Sequence, residues 1–270
     1  MQYSLVNGER LPPFPKGKGT CAVCGADTHA KCGEVKIWHW AHRSKMECDP
    51  WWENETEWHR RWKEQFPESF REIVHTCDVT GEKHQADIKT SHNVVVEVQN
   101  SPISLEELCS REQFYKNMVW IVNGEKFLKR FKILKHTPLP EPNVPELQDI
   151  MFIPTNNERS CMMYWSKAEN LKARTGRDLV RIHDTARIRG QLQPYCTGHY
   201  PFLWQRPHVA WMEARCPVFL DFGTDLLCRL EKYRNQFMCI RAVAKQKVIA
   251  DIINRSQCQL IGLGHSIFKD

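Results

Sequence analysis

The 270-residue chain contains no run of about 18 consecutive apolar residues, and its mean hydropathy is -0.54, which leaves no segment that reads as a transmembrane helix. Its first 19 residues, MQYSLVNGERLPPFPKGKG, lack the apolar stretch of a secretory signal. The expectation is therefore a cytoplasmic protein with no membrane partner, whose 12 cysteines are reduced thiols or metal ligands rather than disulfides. There is no internal repeat and no low-complexity tract, and 10 Trp, 12 Phe and 6 Tyr exclude disorder as the main state. An excess of one charge sign is missing from residues 1–150, which hold 20 Lys/Arg against 22 Asp/Glu. Residues 151–270 hold 18 against 10, a net +8, which points to a polyanion such as nucleic acid; a merely solvated basic surface is the alternative.

What is present falls into an ordered pattern. WWENETEWHRRWKEQF (51–66) spaces Trp51, Trp52, Glu55, Trp58, Trp62 and Phe66 at three- and four-residue steps, predicting an amphipathic helix ended by Pro67. FREIVHT (70–76), HQADIKT (84–90) and VVVEVQ (94–99) read as strands, the last the most β-branched. Ser104 and Glu107 form an S-x-x-E capping box before a helix reaching about Lys116, and MVWIVNG (118–124) reads as a fourth strand. The predicted order is αβββαβ. Four prolines between Pro138 and Pro145 predict an extended linker over 136–145, followed by a basic accessory region, 146–270, in which 163–175 and 229–255 look largely helical.

Asp87 lies on one predicted strand and Glu97 and Gln99 on the next, two residues apart and so on one face. An Asp and a Glu on paired strands can converge on one Mg²⁺ or Mn²⁺, with a neighbouring amide orienting a water, as phosphodiester hydrolysis requires. A carboxylate inside an apolar strand is costly, which suggests that Glu97 has a purpose; a structural ion pair with Lys89 is the alternative. Nearer the N-terminus, Cys21-x2-Cys24 and His39-x2-His42 have the spacing of a closed structural Zn²⁺ site within a loop-rich knuckle, 1–50, with Cys48 open as a substitute ligand. Trp38, Trp40, Trp51 and Trp52 are expected to pack this knuckle onto the first helix.

The motifs CAVC, HWAH, ETEWHRRWK, GEKHQADIKT, VVVEVQNSPIS and SREQFYKNMVWIVNG together resemble the competence protein CoiA-like family, over roughly Cys21 to Lys126. That family in turn resembles the PD-(D/E)XK nuclease superfamily. The resemblance implies a mixed α/β (α+β) fold with an αβββαβ nuclease-like core at 51–135, between an N-terminal zinc knuckle and a basic C-terminal region. It makes Asp87 and Glu97 the motif carboxylates and Glu57 the helix carboxylate completing the Mg²⁺ or Mn²⁺ shell. Gln99 stands where many members have Lys, so Lys89 is the substitute considered for that charge. Arg111, Tyr115 and His84 are candidate phosphate contacts, as is His59. The expected activity is metal-dependent cleavage of nucleic acid, most simply DNA, in uptake, processing or phage defence. The alternative is a nuclease fold used as a non-catalytic nucleic-acid clamp. Association with itself or with a partner protein stays open.

Overall fold

Residues 57–123 fold in the predicted order. In the computed structural model, which describes residues 1–43, 48–53, 55–155 and 162–254, the described chain divides into two units. The first comprises Met1–Asn123, Glu213–Pro217 and Gln246–Asp270, and the second Gly124–Met212 and Val218–Lys245. The fold is mixed α/β, with several sheets.

The first unit opens with five short strands rather than loops: β1 (Ser4–Val6), β2 (Glu9–Leu11), β3 (Lys18–Thr20), β4 (Asp27–Lys31) and β5 (His39–His42), in the sheet order β2-β1-β3-β4-β5. Trp40 is its buried centre, with Nε1 donating to the Leu11 carbonyl at 3.0 Å. Helix α1 (Glu57–Lys63) is shorter than the periodicity predicts. Thr56 caps it: its Oγ1 accepts from the His59 amide while its own amide donates to His59 Nδ1. Trp51 and Trp52 stay outside the helix, because Asp49 accepts from the Trp51 amide at 3.0 Å and holds that stretch in a turn.

Strands β6 (Arg71–Thr76), β7 (Lys83–Lys89) and β8 (Val95–Gln99) follow, then α2 (Leu105–Tyr115) and β9 (Met118–Asn123). Neighbours β6/β7 and β7/β8 are antiparallel and β8/β9 parallel. VVEVQ and MVWIVN are buried along their whole length, as expected of central strands covered on both faces. Ser104 caps α2 by accepting from the Glu107 amide at 3.0 Å, but the Glu107 carboxylate turns to Arg111 instead of closing the predicted box. Glu112, on the same helix, is buried and accepts from Trp120 Nε1 (3.1 Å) and from the amides of Arg215 (3.0 Å) and Cys216 (3.0 Å).

The second unit holds β10 (Phe131–Ile133), β11 (Ile150–Pro154), β12 (Met162–Ser166), β13 (His183–Asp184), α3 (Arg189–Leu192), β14 (His199–Tyr200) and β15 (Phe202–Trp204). After α4 (Val209–Glu213) come β16 (Val218–Asp221), β17 (Leu226–Tyr233) and β18 (Phe237–Ala244); α5 (Lys245–Asn254), the last described element, belongs from Gln246 on to the first unit. The proline-rich 136–145 segment is not a free linker. Leu139 and Val144 belong to the buried core with Phe152, Met162 and Tyr233, and the proline carbonyls serve as acceptors, Pro140 from Tyr233 Oη at 3.0 Å and Pro142 from Arg234 Nε at 2.8 Å. The helices expected at 163–175 and 229–244 are absent. Residues 162–166 are a strand, and β17 and β18 pair over eight residues around Arg234 and Asn235, both with left-handed backbones (φ 47° and 58°). Cross-strand pairing there overrides the helix propensity of Leu, Lys, Glu and Arg. Among the described residues no helix is long and apolar enough to cross a membrane.

Glu112→Ala removes the acceptor shared by the buried Trp120 indole N–H and the part-buried amides of Arg215 and Cys216. Urea titration is expected to show a loss of roughly 2–4 kcal/mol, with Glu112→Gln, which keeps one carbonyl, losing about half as much.

Candidate functional site

The regular β7/β8 ladder ends at Ile88↔Val96. One residue further along, side chains replace backbone partners: Asp87 Oδ2 accepts from the Val98 amide at 3.0 Å, and Glu97 Oε1 lies 3.4 Å from the Asp87 amide. The two carboxylates thus face each other across the pair. A cavity of about 320 Å³ lies over them, lined by Asp87, Glu97, Gln99, Lys63, Arg111, His59, Glu53, Glu55, Glu72 and Asp49, and by Val23, His42 and Cys48.

The lysine at this site comes from helix α1, not from a strand. The buried stripe of α1 is Trp58, His59, Trp62 and Lys63, which places one ammonium on a face otherwise aromatic. Lys63 Nζ lies 3.0 Å from Asp87 Oδ1, 3.0 Å from Glu72 Oε1 and 3.1 Å from Glu55 Oε1. Burial works against its charge, but Glu72, Asp87 and Glu55 more than offset that and hold the ammonium well above its ordinary value. Glu72, also buried, is correspondingly drawn down to about 2 by Lys63 and the N-terminal charge. It sits on a left-handed backbone (φ 48°), worth roughly 1–2 kcal/mol of strain for a residue with a Cβ, and is held there by Lys63 and by the Gln2 amide at 2.7 Å.

Arg111 Nη1 donates to Glu97 Oε2 at 2.9 Å and Nη2 to the Trp51 carbonyl at 2.7 Å, in contact also with Glu107. Burial, and then the Asp87 charge, push the Glu97 carboxyl up to about 8 against the pull of Arg111. Gln99 Nε2 donates to Glu53 and to the Ser101 carbonyl, and His59 Nε2 lies 3.7 Å from Glu53 Oε2. Burial opposes the Glu53 charge, but His59 and Ser101 hold its carboxyl below the ordinary value.

Several predicted residues fall elsewhere. Glu57 is the first residue of α1, exposed, and does not line the cavity; Glu53 and Glu55, from the turn before the helix, take that place. Lys89 shares a strand face with Asp87 but does not line the cavity. His84 is buried under Trp51, ring centroids 3.4 Å apart, with Nδ1 on Asp49 (2.8 Å) and Nε2 on Glu82 (2.9 Å). Tyr115 is buried against Trp51, His75 and Phe114. Neither His84 nor Tyr115 lines the cavity, whereas Arg111 does. Sequence reasoning missed Lys63, Glu72 and Asp49. The signal for Lys63 was a lysine one step from Trp62, inside the tryptophan stripe.

Cys21, Cys24, His42 and Cys48 form a Cys3His cluster whose ligand atoms lie within 4.8 Å of one another. Gly25 (φ 72°) makes the knuckle turn, with its amide on the Cys21 carbonyl at 2.9 Å. Tetrahedral zinc with Zn–S near 2.3 Å and Zn–N near 2.0 Å requires S···S of about 3.8 Å and S···N of about 3.5 Å. Cys21 Sγ···Cys48 Sγ is 3.8 Å and Cys24 Sγ···His42 Nε2 is 3.4 Å. Burial, and then the N-terminal charge, lower the His42 pKa, which favours the neutral imidazole that a metal needs. His39 is not in the cluster. It lies three residues from His42 on a strand, so the two rings point to opposite faces, and His39 Nδ1 is 2.8 Å from the Ile37 carbonyl. In the second unit, Arg174, Arg177, Arg181, Arg187 and Arg189 are all exposed. Comparison with protein-family models, with curated proteins and with solved structures found no match.

The purified chain is expected to carry one zinc, measured by elemental analysis or native mass spectrometry. His39→Ala should keep it, and Cys48→Ala should lower occupancy sharply; the reverse pattern would overturn this ligand set.

Proposed function

We propose that the first unit is a divalent-metal-dependent phosphodiesterase acting on nucleic acid, with DNA the substrate implied by the CoiA-like resemblance and its PD-(D/E)XK relatives. One observation carries the reading: Asp87 and Glu97 face each other on adjacent strands of an αβββαβ unit, in a cavity where α1 delivers a buried lysine 3.0 Å from Asp87. Gln99 occupies the strand position of the motif lysine, and Lys63 supplies the missing positive charge from the helix.

The donor set suits a hard cation. Oxygen ligands from Asp87 and Glu97 are at hand, and the raised Glu97 carboxyl reflects its burial and then the neighbouring Asp87 charge, which Arg111 alone does not offset. Mg²⁺ or Mn²⁺ held by these carboxylates would supply an activated water and neutralise charge at the scissile phosphate. Lys63 Nζ is engaged by Asp87, Glu72 and Glu55, which keep it charged; a divalent ion taking over part of Asp87 would leave one N–H to donate to a phosphate oxygen or to the attacking water. Arg111 fixes the Glu97 carboxylate from the α2 side. Gln99, held by Glu53 and the Ser101 carbonyl, presents its amide to the cavity rim.

The clamp reading has one specific observation in its favour: Lys63 and Arg111 already pair with the two motif carboxylates. A cleavage assay on linear, circular and single-stranded DNA and on RNA, with and without Mn²⁺, separates the two. Asp87→Asn, Glu97→Gln and Lys63→Met are each expected to lower the rate by about a thousandfold or more, with folding checked by circular dichroism. Gln99→Ala should cost less, and Lys89→Ala should leave the rate near wild type. Binding without cleavage under every metal would leave the clamp.

Titration supplies a second test. The metal-free fold favours protonated Glu97, so this group's contribution to stability is full below its ordinary carboxylate range and is lost as pH rises through about 8. Mn²⁺ must displace that proton. Calorimetry in buffers of different ionisation enthalpy should show close to one proton released per Mn²⁺ at pH 6–7, and affinity rising towards pH 8. Affinity independent of pH over that range would contradict the assignment of Glu97 as ligand.

A further inference from the structure

Six residues join the thiol cluster to the carboxylate cavity, and each end and the middle are tied down. Cys48 is a member of the Cys3His cluster. Asp49, next to it, is buried and makes three contacts across to β7 and along its own turn: His84 Nδ1 at 2.8 Å, the Gln85 amide at 2.9 Å and the Trp51 amide at 3.0 Å. Trp51 stacks on His84, and its carbonyl takes Arg111 Nη2 at 2.7 Å. Arg111 in turn holds Glu97 at 2.9 Å. Glu53 closes the stretch by accepting from Gln99 and Ser101. Glu97 and Gln99 are thus both held from the same short segment.

We infer that residues 48–53 are a metal-anchored strap: zinc on Cys21, Cys24, His42 and Cys48 fixes the strap, and the strap positions Arg111, Glu97 and Gln99. Asp49, Trp51 and Glu53 are positioning residues, acting through the groups they hold. The segment has no helix or strand of its own, so its order depends on its two anchors. With Cys48 released, the remaining ties are the Asp49 bonds, the Trp51 stack, the Trp51 carbonyl's bond from Arg111 and the Glu53 contacts, none of which closes a backbone ladder. A zinc-free chain should therefore keep β7 and β8, whose centres are fully buried, and lose the strap. That the strap serves phosphodiester chemistry rests on the reading above; that it depends on zinc does not.

Hydrogen exchange with mass spectrometry on the full-length, zinc-loaded chain, before and after chelation, tests this directly. The amides of Trp51 and Trp52, which donate to Asp49, are expected to exchange about tenfold faster or more without zinc, while those of Val95–Gln99 stay protected. Cys48→Ala should reproduce the chelated pattern. Cys48→His, which keeps a ligand atom, should restore zinc and protection together. Trp51→Ala should keep one zinc and yet loosen the strap. In the cleavage assay Cys48→Ala should lower kcat and leave KM near wild type. Equal exchange with and without zinc, a chain that takes up no zinc, or loss of protection throughout β8 as well would each overturn the strap. Exchange is read without substrate, so a chain that cleaves nothing leaves this outcome standing, and unchanged exchange leaves the cleavage reading standing.

Discussion

The first unit depends on one buried cation. The Lys63 ammonium joins Glu55 from the turn before α1, Glu72 from β6 and Asp87 from β7. Gln2, from the chain's first residues, donates to Glu55 and to Glu72, each at 2.7 Å, so the N-terminal segment is bound to the same cluster. A buried ammonium with three carboxylates is a poor source of net stability compared with apolar packing, because each charge has been stripped of water. Its effect is registration. Helix, strands and N-terminus meet in one arrangement, since any other would leave a charge buried and unpaired, at a cost of about 3–5 kcal/mol. The left-handed backbone of Glu72 is a local strain accepted to complete that cluster.

The core order was legible because each strand from Arg71 to Asn123 carries its own pattern and each break has a turn or capping residue. Strand patterns placed Asp87 and Glu97 on neighbouring strands, and the resemblance named them as a pair; the end of the β7/β8 ladder is what turns the two carboxylates toward each other. Glu57 came from the resemblance, which puts a carboxylate on the first helix. Asp49 and Thr56 start a turn and a helix separately, so Glu57 is the exposed first residue of α1 and the inward carboxylates are Glu53 and Glu55 ahead of it. His39 failed because an H-x2-H spacing serves a metal on a helix or turn but not on a strand, and nothing in HWAH marks it as β5. Lys63 was hidden by the habit of reading a lysine on a helix as solvated.

The organisation along the chain was the least legible part. A run of prolines is a good signal for an extended backbone and a poor one for exposure. Here its carbonyls accept from Tyr233 and Arg234, residues some ninety positions later, which no local pattern could announce. The first unit is also discontinuous: Glu112 reaches Arg215 and Cys216, and Gln246–Asp270 is counted with residues 1–123. A truncation within 136–145 would cut through the core of the second unit and remove parts of the first.

Charge balance limits what can enter the cavity. Six carboxylates line it, Asp49, Glu53, Glu55, Glu72, Asp87 and Glu97, against the permanent cations Lys63 and Arg111. Asp49 is matched by His84, and Glu53 is eased by His59, yet burial and the Asp87 charge still push the Glu97 carboxyl up to about 8. A phosphodiester approaching such a surface without a companion cation meets repulsion that water screens little in a partly closed site. On the proposed reading, a divalent ion between Asp87 and Glu97 would reverse that sign. On the same reading, the excess of carboxylate over cation is what the ion would offset, and a clamp gripping nucleic acid by the cavity alone would lack that offset. It would also give the Lys63 cluster a second consequence, because an ammonium shared by three carboxylates would keep Glu55 and Glu72 if a divalent ion took over part of Asp87.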